Sequence, residues 1–536
     1  MRGLASTLAL LALLLLAARP TTGQGLEPAL AAIAGGSLEA TERAIGQIAA
    51  SGTPRAETVL RALAEGRLLT RPGDPLVYLR TSEGAILRAA DGGTVEPIPS
   101  GLRAVRINNR IRRALEGALG ALTLRSPERG RRLAAAEALF ARPDAAALPL
   151  LEEAAAGESD AAVRAAFARA RAAILLEHGP TSPERTAAAD LLARDPSPMV
   201  LGKLKATRAG LGPEAGSELA ATLDAAIGRV ERRLRLLELV QTLFHGLSLG
   251  SVLLLAAVGL AVTFGVMGVI NMAHGEMVML GAYASWAVQQ AVRAIAPDLL
   301  HFSLLLALPA AFLSAAVTGL LIERLVISRL YGRPLETLLA TFGLSLILQQ
   351  AIRLGVGASN REVVTPSWMS GLLEPVPGLA LTANRLVIIV FAFAVFLLLW
   401  GIVRGTRLGL EIRAVTQNRR TAEAMGIRTP AIDAATFALG SGVAGLAGVA
   451  LAQIDNVSPN LGQAYIVDSF IVVVFGGVGN LWGTLLGAMS LGLVNKILEP
   501  VAGAVLGKIL VLVALILFIQ RRPQGIFALR GRAAEA

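Results

Sequence analysis

The sequence predicts an all-α membrane bundle of about eight spans, some of them broken or re-entrant, preceded by an exported helical-repeat domain. Three observations carry that prediction. The chain is 54% hydrophobic and only 17% charged over 536 residues, richer in apolar side chains than a soluble protein of this length needs. Its two halves differ in composition: an Ala-, Arg-, Glu- and Leu-rich zone without a span-length apolar run reaches to about residue 235, and long charge-free runs follow. The basic residues that remain among those runs cluster in a few connectors, as charged segments at one face of a membrane do.

The first element is an export signal over residues 1–23. Arg2 supplies the basic start, Leu4 to Ala18 the short apolar stretch, and small residues follow to Gly25. An uncleaved anchor is the alternative. Either way, residues 24–235 are expected on the periplasmic side. Within them, Leu133, Ala136, Leu139 and Phe140 form one apolar face, Leu148, Leu151 and Ala155 a second, and Val163, Phe167 and Ala170 a third. Breaks are expected at Arg142-Pro143-Asp144 and between Gly157 and Asp160. The pattern resembles HEAT-type repeats, in which each helix pair buries its face only against neighbours; an irregular helical domain is the alternative. Residues from Pro75 to Pro99 read as a small insertion with strand-like pieces.

Residues 236–536 form the membrane domain. No Asp, Glu, Lys or Arg occurs between Leu239 and Gly275, and spans are expected near 239–264, 276–296, 303–323, 336–355, 385–403, 431–453, 466–497 and 501–520. The basic excess lies at Arg324 to Arg333, Arg404 to Arg428 and Arg521 to Arg532, which the positive-inside rule assigns to the cytoplasm. With the first domain outside, the first two segments fall inside by counting. The C-terminus does so only if 466–497 makes two passes or a hairpin. Gly476, Gly477 and Gly479 supply the place for that break.

Polar residues inside apolar runs mark candidate functional positions. Asn271, His274 and Glu276 interrupt Phe264 to Tyr283, and Asn480 stands at the expected break. They either flank a solute path or cap helices at the interface. The connector from Arg407 to Thr429 places Leu408, Ile412, Val415, Ala422 and Met425 on one helical stripe, with Arg413, Gln417 and Arg420 elsewhere and Gly426 at the end. Such a helix either lies on lipid or docks on a partner protein.

Several chemistries are excluded or disfavoured. The chain has no Cys and only four scattered His, so disulfides and thiolate metal sites are absent and a His-based metal cluster is not expected. No phosphate-binding GxxxxGK[ST] occurs, so the chain is not its own nucleotide-driven motor; it is not expected to be an enzyme or to carry a cofactor. The net charge of +11 comes without a nucleic-acid-binding module, and nucleic acid is not an expected partner.

The strings GVMGVINMAHGEMVMLGAY, RAVTQNRRTAEAMGI, VVVFGGVGNLWGTLLGA and RRPQGIF together resemble the permease subunits of branched-chain amino acid and amide ABC importers, over roughly residues 239–530. NVSPNLGQAYIVDSFIVVVFGGVGNLWGT and the long exported domain most resemble the urea-importer branch. The resemblance implies transport of urea or a related amide across the inner membrane, driven by two cytoplasmic ABC ATPases. It also implies a sister permease subunit and a periplasmic substrate-binding protein. It implies that the segment containing Arg407, Leu408, Ile412, Arg413, Val415, Arg420, Ala422, Met425 and Gly426 contacts the ATPase. A branched-chain amino acid permease, a passive channel and a membrane-anchored scaffold are the competing readings.

Overall fold

The computed structural model describes residues 26–527 except 52, 82–83, 212–216 and 377; the export signal expected at 1–23 lies outside the described residues. The chain forms two compact units, divided between Arg233 and Leu234.

The first unit opens with helices α1 (Glu27–Ala34), α2 (Leu38–Ala50) and α3 (Ala56–Ala64). Strands β1 (Leu68–Thr70), β2 (Val77–Arg80), β3 (Ile86–Arg88) and β4 (Arg103–Ala104) then form an antiparallel sheet in the order β3-β2-β1-β4. This sheet corrects the all-α expectation for the unit. Its strands are two to four residues long; β2 and β3 lie within the stretch from Pro75 to Pro99 read as strand-like, while β1 and β4 flank it and had no such signal. Leu68, Val77 and Leu79 join the core of the surrounding helices, while Leu69, Tyr78 and Ile86 cluster on the other side.

Helices α4 (Asn109–Leu124), α5 (Arg129–Ala141), α6 (Leu148–Ala156), α7 (Ala161–His178), α8 (Ser182–Leu192) and α9 (Pro198–Gly210) complete the unit. The interruptions fall where proline, glycine and aspartate were expected to place them. Asp160 caps α7 by accepting from the backbone N–H groups of Ala162 and Val163 at 2.9 and 3.1 Å. These bonds, led by the one from Val163, hold its carboxyl below the usual carboxylate range. Val163, Phe167 and Ala170 are all buried, and α7 packs on α5, α6 and α8.

In the second unit, α10 (Glu218–Met267, whose first part belongs to the first unit), α11 (His274–Ile295), α12 (Ser303–Leu325), α13 (Pro334–Gly355), α14 (Ala383–Gly405), α17 (Thr429–Leu451), α18 (Leu461–Gly476) and α19 (Leu481–Arg521) form the bundle. Two short helices, α15 (Arg407–Gln417) and α16 (Arg419–Ala424), lie in the connector between α14 and α17. Six helical stretches among the described residues are long and apolar enough to cross a membrane. The helix over 276–296 is present as α11, but Gln289, Gln290 and Arg293 dilute its apolar character. The expected span 466–497 is divided: α18 ends at Gly476 and α19 begins at Leu481, with Gly477 and Gly479 at φ 102° and 77° between them. These are left-handed conformations that side chains disfavour. α19 itself turns at Gly503 (φ 76°), after Pro500. Its last part comes back beside α18, where Phe518 meets Phe475 edge-on at 5.0 Å.

The centre of the bundle is the packing of α11, α12 and α17. Small residues allow it. A Cβ added at Gly445 would stand 2.5 Å from the carbonyl oxygen of Ala311, and one added at Gly281 would overlap Gly445 itself. By contrast, Leu313 on α12, Leu339 on α13, Leu398 on α14 and Val505 on α19 are exposed, an apolar exterior suited to lipid or another membrane chain.

Candidate functional site

The connectors 326–333 and 406–428, the glycine loop 477–480 and the C-terminal stretch 522–527 gather at one end of the bundle. Arg419 lies against Tyr331, Gly265 against Gly479, and the N–H of Ile526 bonds to the carbonyl of Phe475. Most of the connector arginines lie at this end. The opposite end carries the bridge between Arg361 and Val457 and the bond from Arg353 to Asn460.

A cavity of about 700 Å³ opens at the arginine end. Ala261, Val262, Gly265 and Val266 of α10 form one wall, Trp400, Val403 and Arg404 of α14 another; Ile412, Arg413, Thr416 and Gln417 of α15, with Gly479 to Trp482, close it. The Arg404 guanidinium stacks 5.2 Å from the centroid of Trp400, which meets Trp482 at 6.2 Å. Arg413 donates to the carbonyl of Val403. The lining contains two guanidinium groups, amides, a hydroxyl and two indoles, and no carboxylate side chain.

Of the four residues expected along a solute path, Asn480 lines this cavity; Asn271, His274 and Glu276 do not. Asn480 also caps α19, its Oδ1 accepting from Gly483 N at 3.1 Å. The other three sit at the start of α11, buried among helices. Asn271 Oδ1 accepts from Ala273 N at 3.0 Å, and His274 Nε2 pairs with the carbonyl of Ala256 at 2.9 Å. Glu276, 1% exposed, accepts from Ser345 Oγ and Gln349 Nε2, each at 2.8 Å. The same junction is tied to α13 once more, where the N–H of Met272 donates to Thr341 Oγ1 at 3.1 Å.

The connector resolves into two helices because Asn418 interrupts it; its Oδ1 caps α16 through Thr421 N at 3.0 Å. Thr406 caps α15 in the same way, through Gly409 N at 3.2 Å. The apolar stripe is turned inward. Ile412, Val415 and Ala422 are buried and Leu408 half-buried, in one cluster with Val266 and Met267 of α10 and Ile432 of α17. Met425, 79% exposed, is not part of it. Arg407, Arg413 and Arg420 are exposed, and Gly426 ends the segment at φ 88°. What the connector offers outward is therefore mostly polar, because its apolar side is already covered by the bundle.

Residues absent from the sequence reading bind the connector from the other side. Arg419 holds the fully buried Asp433 of α17, with Nη1 donating to Oδ1 at 3.3 Å and Nη2 to Oδ2. Its guanidinium lies 5.0 Å from the centroid of the Tyr331 ring, and Tyr331 donates to Glu323 Oε1 of α12 at 3.2 Å. Burial, reinforced by the charges of Asp433 and Glu323, pushes the Tyr331 phenol well above its usual range. The one hint in the sequence was a carboxylate abutting an apolar run, Glu323 at the end of one and Asp433 at the start of another.

The comparisons with known proteins agree with this architecture. The family described as "Branched-chain amino acid transport system / permease component" matches residues 242–519. The chain is 30% identical over 294 residues to the high-affinity branched-chain amino acid transport system permease protein LivH of Salmonella typhimurium, covering 54% of this chain and 94% of that one. It is 29% identical over 293 residues to the permease protein BraD of the same kind of system in Pseudomonas aeruginosa, covering 54% and 95%. A shorter likeness, 34% over 109 residues, joins it to the ribose import permease protein RbsC of Escherichia coli, covering 19% and 34%. No solved structure matches the chain. The glycine-packed bundle and the family match over 242–519 together place this chain in the branched-chain amino acid transport system permease family, as a membrane transport component and not an enzyme.

Proposed function

We propose that this chain is the membrane-spanning subunit of an ABC importer that carries urea or a related small neutral amide across the inner membrane. ATP is hydrolysed on two separate cytoplasmic ATPase chains. A sister permease and a periplasmic binding protein complete the assembly. The first unit, read as a HEAT-like helical stack, lies in the periplasm; the arginine end and the C-terminus lie in the cytoplasm. The substrate reading is carried by the lining of the 700 Å³ cavity. It offers donors and amide groups for a neutral polar solute but no carboxylate to pair with an ammonium. Inside the bundle, Gln453 adds a buried amide whose Oε1 and Nε2 have no protein partner. A second reading, an aliphatic amino acid, is favoured by the names of the relatives and by the fit of Arg404 and Arg413 to a carboxylate.

Two measurements test this. The complex reconstituted with its ATPases, sister permease and binding protein is expected to accumulate labelled urea with ATP and to leave leucine outside. Preferential leucine uptake replaces the substrate assignment by the second reading. For orientation, the cysteine-free sequence allows Arg413→Cys to carry the chain's single thiol. It is expected to react with an impermeant maleimide from inside-out vesicles and not from intact cells; the reverse pattern inverts the topology.

A further inference from the structure

The pairing of Arg419 with Asp433 is out of keeping with an ordinary surface connector. α16 is six residues long, begins at its cap Asn418 and is followed closely by Gly426 in a left-handed conformation, φ 88°, that glycine adopts freely. Yet one guanidinium anchors it at several points. Arg419 grips both carboxylate oxygens of Asp433, which is 0% exposed, and stacks over Tyr331. Its Nη2 also reaches Thr429 Oγ1 at 3.4 Å, and Thr429 in turn donates to Glu423 Oε1 at 2.5 Å. Asp433 belongs to α17, and Tyr331 follows α12 and bonds to Glu323 on it. α12 and α17 are the most extensively packed helix pair of the bundle. The apolar stripe of the connector reaches the end of α10 and, on α17, Ile432 beside Asp433, but it makes no contact with α12 in that cluster.

We propose that Arg419 is a positioning residue that transmits movement of the connector to the α12–α17 pair. The inference rests on the reading of the connector as the place where an ATPase pushes. A push on α16 cannot leave α12 and α17 behind without stripping the fully buried Asp433 carboxylate of its guanidinium partner, which is costly. The apolar contacts of α15 are non-directional and can slide. The two-point bond is directional and moves its partner with it. Lysine can supply the charge but neither the fork nor the planar stack.

The test uses the whole reconstituted complex, with ATPase rate and substrate uptake measured on the same preparation. Arg419→Ala and Asp433→Asn are each expected to keep at least half of the wild-type ATPase rate while uptake per ATP falls at least tenfold. Arg419→Lys is expected to recover part of the ratio. Glu323→Gln, which still accepts from Tyr331, is expected to stay within twofold of wild type. The proposal is overturned if Arg419→Ala carries as much substrate per ATP as wild type. It is also overturned if both Arg419→Ala and Asp433→Asn lose ATPase and uptake in parallel or fail to assemble, because a purely architectural pair behaves so. A wild-type complex without ATP-driven uptake counts instead against the importer reading, and the two failures are thus distinguishable.

Discussion

Replacing Gly445 with valine is expected to disrupt the centre of the bundle. Gly445 sits where α17 crosses both α11 and α12. A Cβ there would stand 2.5 Å from Ala311 O and 2.8 Å from the Ala315 side chain, and Gly281 abuts the same backbone. The obstacles are mainly main-chain atoms on rigid helices, so relief requires whole helices to separate. Overpacking a well-packed core costs about 1–3 kcal/mol where side chains can yield, and here they cannot, so about 3 kcal/mol or more is expected. The thermal midpoint of the purified protein in detergent measures it. Two companions grade the prediction. At Gly442 the added Cβ meets the Phe312 ring at 2.5 Å, a side chain able to turn aside, so Gly442→Ala is expected to cost less. At Gly343 nothing stands within 4 Å, and alanine is expected to be neutral or to stabilise by up to about 1 kcal/mol through helix propensity. Equal midpoints for Gly445→Val and Gly343→Ala would falsify the packing argument.

The second large effect is expected at Glu276. Its Oε1 accepts two hydrogen bonds from α13, and Glu276 is almost completely enclosed. Alanine removes the acceptor shared by Ser345 and Gln349, leaving them their 3.4 Å bond to each other, at about 1–3 kcal/mol for the lost partner, and opens a void besides. Glutamine keeps the shape and an acceptor oxygen in place, and is expected to stay within about 1 kcal/mol of wild type. The expected order of thermal midpoints is wild type, Glu276→Gln, then Glu276→Ala well below. Uptake measured beside stability separates the two roles open to this residue. If Glu276→Ala melts like wild type and loses uptake, the carboxylate serves the solute and not the junction of α11 with α13.

Individual residues show how far one-dimensional reasoning reached. Arg142-Pro143-Asp144 and Gly157 to Asp160 end helices in the structure because a missing N–H, a flexible glycine and a capping carboxylate act within one turn. The glycines of Gly476 to Gly479 break the apolar run 466–497 for the same local reason. The stripe Leu408, Ile412, Val415 and Ala422 was legible as a stripe. Its periodicity could not say whether lipid, a partner or the chain's own α10 and α17 would cover it. Asn271, His274 and Glu276 were legible as costly polar groups; Asn271 bonds locally to Ala273, but the partners of His274 and Glu276 are Ala256, Ser345 and Gln349, between 18 and 73 residues away in sequence.

By itself the sequence determined the apolar, membrane-suited character of the second half of the chain, the helix breaks at 142–144, 157–160 and 476–479, and the clustering of arginines in a few connectors. Each of these depends on a transfer free energy or a backbone preference that acts over a few neighbouring residues. The sequence read about eight spans where six helical stretches among the described residues are long and apolar enough. Only the tertiary structure decided that Asn480 lines a cavity while Asn271, His274 and Glu276 lie in packed junctions, that the connector's apolar side is spent inward, and that Arg419 meets Asp433 and Tyr331. Those outcomes depend on which glycine-lined helix faces come into contact. That choice is made by shape complementarity between distant segments, which no local pattern records.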